Sequence, residues 1–150
     1  MSKINWVYKD FDALTNQELY DLLAVRIEVF VVEQNCPYQD VDGKDQKAHH
    51  LIGYAENGEV AGYARITFPG VRFKEVSIGR VVTSQKYRRK GFGKLLMEES
   101  LKKIKQDYGT VPVRISAQSY LIPFYSSFGF EPLGEEYLED GILHTEMLRP

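Results

Sequence analysis

The most constraining feature of the chain is a cationic turn. Between Lys86 and Lys94 stand five basic residues, Lys86, Arg88, Arg89, Lys90 and Lys94, with two glycines, Gly91 and Gly93, and no acidic residue. A strand-like run, Glu75 to Thr83, precedes the turn, and the longest helical period, Gly91 to Tyr108, follows it. In that period Gly93, Met97, Leu101, Ile104 and Tyr108 share one face, and Glu98–Lys102 and Glu99–Lys103 pair at i,i+4 on another. The first N–H groups of a helix are unpaired, the helix dipole is positive there, and glycine lets the backbone come close. Strand, basic glycine turn and helix therefore make an anion-gripping α/β unit suited to a phosphate. The competing reading is a solvated turn that lysine and arginine merely decorate. Two nucleotide sites are excluded by spacing: a dinucleotide fingerprint needs a third glycine, and a P-loop needs glycine where Lys86 stands.

The rest of the chain alternates short elements around this unit. A strand is expected near Ile4 to Tyr8. Thr15 and Glu18 form a capping box that opens a helix with an apolar stripe at Leu19, Leu22, Leu23, Ile27 and Phe30, ending before Asn35-Cys36-Pro37. Residues 34–47 read as a loop. The runs His50 to Glu56 and Val60 to Phe68 flank Asn57-Gly58, a hairpin signal in which both turn residues take positive φ, and together with 75–83 they make an antiparallel meander. Gly109 caps the long helix. Val111 to Ile115 should then run parallel to the strand before that helix, a short helix spans about Ser119 to Phe128 with Pro123 in its first turn, and strands close the chain around Phe130 to Leu133 and Ile142 to Leu148.

At 150 residues, 43% hydrophobic and 27% charged, the chain is expected to fold as one domain, 1–150, without disulfides or metals. A single cysteine, Cys36, suits a reducing compartment, and with neither a leader nor a membrane-spanning stretch the expected location is cytoplasmic. The net charge of −2 offers no general attraction for nucleic acid. Asp40, Asp42 and Asp45 do not follow the spacing of a calcium loop, and His49, His50, His144 and Cys36 follow no recognised zinc spacing, so no metal is expected.

The run Val81 to Leu96 resembles the acetyl-coenzyme A motif of the GNAT superfamily of N-acetyltransferases, R/Q-x-x-G-x-G/A, with Arg88, Gly91 and Gly93 in its defining places. Downstream, Gln118 and Phe124-Tyr125-Ser126-Ser127-Phe128-Gly129-Phe130 are similar to the family's second motif, which ends Y-x-x-x-G-F. Residues 26–34, Cys36-Pro37-Tyr38, Asp42 to Asp45 and Ile78 to Val81 look like the ElaA-like branch, so the likeness spans nearly the whole chain.

This resemblance implies a mixed α/β fold with a mostly antiparallel sheet of six to seven strands, about four helices, and the cofactor at a splayed parallel strand pair. It implies acetyl-CoA as acyl donor and an amine of a small molecule or peptide as acceptor, in a monomer or homodimer. The backbone of Arg89, Lys90, Gly91, Phe92, Gly93 and Lys94, beside Arg88, would hold the diphosphate. Val81, Val82 and Thr83 would pair with the pantetheine arm, and Gln118 would bond it. Tyr125 would be the general acid toward the departing thiolate. For the base, Glu75 stands two residues before the family's usual position, at Ser77, and on the same face; His49, His50 and water remain alternatives. Two rival readings are a thiol hydrolase built on Cys36 and a histidine, and an acyl-CoA-binding module without turnover.

Overall fold

The computed structural model describes residues 3–150. Seven strands, β1 Asn5–Asp10, β2 Ala48–Tyr54, β3 Val60–Thr67, β4 Val76–Thr83, β5 Val113–Gln118, β6 Glu131–Glu139 and β7 Ile142–Arg149, form one sheet in the order β1-β2-β3-β4-β5-β7-β6. Only β4 and β5 are parallel. The remaining pairs are antiparallel, including the expected β2-β3-β4 meander. Helix α1, Asn16–Arg26, packs on one face through Leu22 and Val25 against Ile52, Tyr63 and Val82; helix α2, Phe92–Tyr108, covers the other, placing Leu96, Met97 and Ile104 among Leu51, Ala64, Ile66 and Ile78. Strands covered on both faces can be apolar at successive positions, which is why β2 and β3 read as nearly unbroken hydrophobic runs. Among the described residues no helix is long and apolar enough to cross a membrane.

The capping box forms as expected: Glu18 N–H donates to Thr15 Oγ1 at 3.0 Å, and Thr15 N–H donates to Glu18 Oε1 at 2.9 Å. The helix departs from expectation after Arg26, where it continues as a π-helix over Ile27–Glu33. Its wider turn shows in the bonds from Gln34 N to Val29 O, 3.2 Å, and from Cys36 N to Val31 O, 3.1 Å. Five-residue spacing rotates the buried stripe, so that Arg26 and Val29 face inward while Ile27, placed in the core by a 3.6-residue period, is 44% exposed.

The Asn57-Gly58 hairpin forms with only Gly58 at positive φ, +86°; Asn57 acts through its side chain, whose Oδ1 accepts from Glu59 N–H at 3.0 Å. The turn with both residues at positive φ is instead Asp140-Gly141, +53° and +77°, which joins a β6 much longer than expected to β7. The short helix splits into a 3-10 turn, Ser119–Leu121, and α3, Ile122–Ser126, with Pro123 in its first turn and Gly129 at φ +92° behind it. The expectation of about four helices is met by three α-helices, the first with its π extension, among the described residues.

A bulge sets the key geometry. Tyr63 pairs with Val82 but Arg65 with Gly79, so β4 carries one extra residue opposite Ala64, and Arg80 there takes φ +49°. Bulges add local twist. β4 pairs with β5 only at Val76–Val113 and Ser77–Arg114 and then diverges from it, leaving the β5-facing edge of Ile78 to Thr83 unpaired. This is the splayed parallel pair expected from the family resemblance.

Candidate active site

Gly91 opens α2 at φ +79°, and no side chain caps the helix. Leu95 N, 3.2 Å from Gly91 O, is the first amide to find an acceptor within the helix, so the N–H groups of Phe92, Gly93 and Lys94 have no acceptor among the described residues. The side chains of the turn differ in what they can offer. Arg88 is held in a two-pronged ion pair by Glu33 of the π-helix, Lys86 bonds Glu59 at 2.7 Å, and Lys90 lies 5.5 Å over the Tyr87 ring. Arg89 and Lys94 have no side-chain partner among the described residues, whereas Phe92 is buried edge-on against Tyr87 and offers only its backbone. A Cβ on Gly91 would meet nothing within 4 Å, so Gly91→Ala should cost only the left-handed backbone conformation. The expected loss is roughly 1–2 kcal/mol, seen as a lower urea midpoint with an unchanged slope.

From this turn a cleft of about 560 Å³ runs between the π-helix and the open strand edge, lined by Val29, Glu33, Val81, Val82, Thr83, Arg88, Gly93, Gln118 and Tyr125 among others. The Val82 side chain is in the core, leaving its backbone to face the gap. A second, smaller cavity of about 100 Å³ adjoins it, and Phe30, Gln34, Val81, Gln118, Leu121 and Tyr125 line both. Tyr125 is thus the gatepost between them. It is 9% exposed, its Oη has no hydrogen-bond partner among the described residues, and burial, helped slightly by Tyr120, pushes its pKa up to about 12. The phenol keeps its proton.

Sheet register builds the inner cavity. Gln118 lies opposite His144 across β5–β7, and His144 opposite Tyr137 across β7–β6, so three side chains form one row, with Glu139 and Ser116 each one step along the same face. Ser116 bonds Tyr137, whose ring stacks on His144 with centroids 6.1 Å apart. His144 Nδ1 lies 2.8 Å from Ile142 O; a carbonyl can only accept, so Nδ1 carries a proton, and in the neutral form of the ring the lone pair is on Nε2. Opposite it, at 3.6 Å, is Glu139 Oε2, while Glu139 Oε1 accepts from Arg72 Nη2 at 2.8 Å. Two acceptors converge where a donor would fit. The sequence, scanned for metal spacing, did not single out His144 for this place; the Asp140-Gly141 hairpin signal, which fixes β6 against β7, could have found it.

The other sequence candidates lie elsewhere. Glu75 is paired with Arg114, 3.0 Å, which holds its carboxyl below the usual range, and it does not line the cavity. A carboxylate so paired is a weakened base. His50 is buried between Tyr63 Oη, 2.6 Å, and Asp45 O, 2.8 Å, and burial lowers its pKa; His49 sits between Asp10 and Tyr108. Neither histidine reaches the cavity. Cys36 donates to Asp140 O at 3.3 Å, and among the described residues its sulfur bonds no histidine. Asp40, Asp42 and Asp45 of the loop are engaged by Arg26, Arg65 and Arg80. Their charge is spent inside the protein.

Comparison with known proteins agrees with this geometry. Residues 13–149 match the acetyltransferase (GNAT) domain family. The chain is 43% identical to protein ElaA of Escherichia coli over 148 residues, 97% of this chain and 96% of ElaA. The crystal structure of E. coli ElaA superposes with a TM-score of 0.91 over 99% of this chain and all of that one, at 41% identity. An acyl-CoA N-acyltransferase from Pseudomonas aeruginosa gives 0.93 with the same coverage, at 43% identity. On these grounds the chain belongs to the GNAT acetyltransferase family, on its ElaA-like branch.

Proposed function

We propose that the chain, as one unit over 1–150, is an acetyl-CoA-dependent N-acetyltransferase of the cytoplasm that acts on a primary amine by direct attack in a ternary complex. The observation that carries this reading is the meeting of two cavities at Tyr125: one opens on free helix-terminal amides, the other ends on a pair of proton acceptors.

An acyl-CoA suits the larger cleft on three counts: uncapped amides for a diphosphate, an unpaired strand edge for an amide-bearing arm, and cationic Arg89 and Lys94 nearby. The backbone of Arg89 to Lys94 would hold the phosphates. Arg88 would join them on leaving Glu33. Backbone groups of Val81, Val82 and Thr83, with the Gln118 amide, would align the arm. Bound acyl-CoA supplies an acyl group activated as a thioester.

The residues of the chain then manage protons. Attack needs a neutral amine, and His144 Nε2, backed by Glu139, is placed to take the ammonium proton in the inner cavity. Tyr125 Oη, kept protonated by burial, can donate where the thiol leaves. On this reading the base is His144 rather than Glu75.

A thiol-release assay with acetyl-CoA and pooled amines tests the reading. Binding of acetyl-CoA without turnover of any amine would leave the chain an acyl-CoA-binding module. His144→Gln preserves shape and is expected to lower kcat/KM by about 10²-fold, the lower end of the range for general bases, because water can substitute in part. An unchanged kcat/KM would return the base to water.

A further inference from the structure

Resting on that reading, we infer that the acceptor is a compact amine that also carries a carboxylate, as in an amino acid or the end of a short peptide. The inner cavity opens into a vestibule of about 400 Å³, and Tyr38, Arg72, Arg80, Glu139 and Asp140 line both. Glu139 is the joint between two functions. One of its oxygens faces His144 Nε2, where an ammonium would find two acceptors; the other holds Arg72 by Nη2 alone. Arg72 Nε and Nη1 have no partner among the described residues, and the guanidinium is steadied by the Phe73 ring 5.3 Å from its carbon. A guanidinium with one edge spent on orientation and another open is built for a carboxylate, which it can take with two parallel N–H donors.

Of the two guanidiniums in the vestibule Arg72 is the one left open, and Lys44, which also lines the vestibule, adds a second cation on the same side. Arg80 is tied to Asp40 through Nε, 2.9 Å, and Nη2, 3.1 Å. Asp42, which also lines the vestibule, is held in a fork by Arg65 at 2.8 and 2.9 Å and draws no cation. The acceptor therefore meets a negative centre at Glu139 and, next to it, an open positive one at Arg72. A bare polyamine would bring its second charge against Arg72, whereas a zwitterion matches both. The small inner cavity requires the amine to arrive on a short stem, with its carboxylate still within the vestibule.

The test is acetyl transfer to matched pairs: lysine and cadaverine, 4-aminobutyrate and butylamine, and a dipeptide and its C-terminal amide. The carboxylated member should have at least ten-fold higher kcat/KM. Arg72→Gln should bring that ratio to within about two-fold of unity, and Arg72→Lys should keep part of it. Calorimetry adds a readout that needs no turnover: N-acetyl amino acids should bind more tightly than their amides, with the difference lost in Arg72→Gln. Free amino acids outrunning dipeptides, or the reverse, would identify the source of the carboxylate. Equal rates within pairs, or preference for the diamine, overturns the inference while leaving acetyl transfer intact. Absence of turnover with every amine, together with equal binding of acid and amide, overturns both.

Discussion

Tyr125→Phe is expected to lower kcat by about 10²- to 10³-fold while leaving the affinity for CoA within about two-fold, because a positioned acid contributes at that level and the ring itself remains. The expectation rests on environment. Tyr125 lies at the junction of the two cavities, its ring stands edge-on to Phe124 and Phe130 with centroids 5.2 and 6.2 Å apart, and its Oη bonds no other group among the described residues. Phenylalanine can keep that packing, so a fall in kcat with an unchanged melting curve isolates the lost proton donor. Thiol release and CoA calorimetry on the same preparation check it. If kcat holds, Tyr125 is a wall residue and water protonates the leaving sulfur.

The second large effect concerns stability. Arg26→Ala is expected to destabilise the protein by about 3–5 kcal/mol, the usual consequence of removing one partner from a buried ion pair. Arg26 is 0% exposed; its Nε donates to Asp40 at 2.7 Å, its Nη1 to Asp45 at 2.8 Å and its Nη2 to Asp40 O at 3.0 Å. Arg65, 1% exposed, and Arg80 complete a cluster in which three guanidiniums meet three carboxylates. Truncation leaves Asp40 and Asp45 buried with too few donors. Since a domain of this kind has only about 5–15 kcal/mol of stability in total, the change should appear as a large drop in urea midpoint.

The cluster also fixes the sign of the acid response. Burial alone would raise the Asp42 and Asp45 carboxyls, but the hydrogen bonds and charge of Arg65 for Asp42, and of Arg26 and Arg65 for Asp45, outweigh it and hold both below the usual range. A folded-state value below the unfolded one means stability present above about pH 4 and lost as the pH falls through the lower folded values. Stability of the wild type should therefore fall steeply below about pH 4. A flat acid limb would contradict the ion pairing.

How much was legible in advance depended on sequence distance. The Thr15–Glu18 box, the glycine at the mouth of α2, Pro123 in a first turn and the β2–β3 hairpin were all readable, because each is decided by a few neighbouring residues and by backbone sterics that tolerate few substitutes. Even among these, the detail of Asn57 was settled by its own side chain rather than by its φ. The continuation of α1 as a π-helix was not readable, since the 3.6-residue pattern persists in Ile27 and Phe30 while burial of Arg26 and Val29 sets the rotation.

By itself the sequence determined the strand, cationic turn and helix, since these features are encoded within short windows, and the family resemblance added Tyr125. Only the tertiary structure decided what stands opposite. His144 meets Gln118 and Tyr137 through strand register, Glu139 divides itself between Arg72 and His144, and the loop aspartates turn inward to arginines 14 to 40 residues away. The reason is physical: local periodicity can report which face of an element is buried, but which charge meets which depends on how the sheet twists and closes over distances that no window of sequence contains.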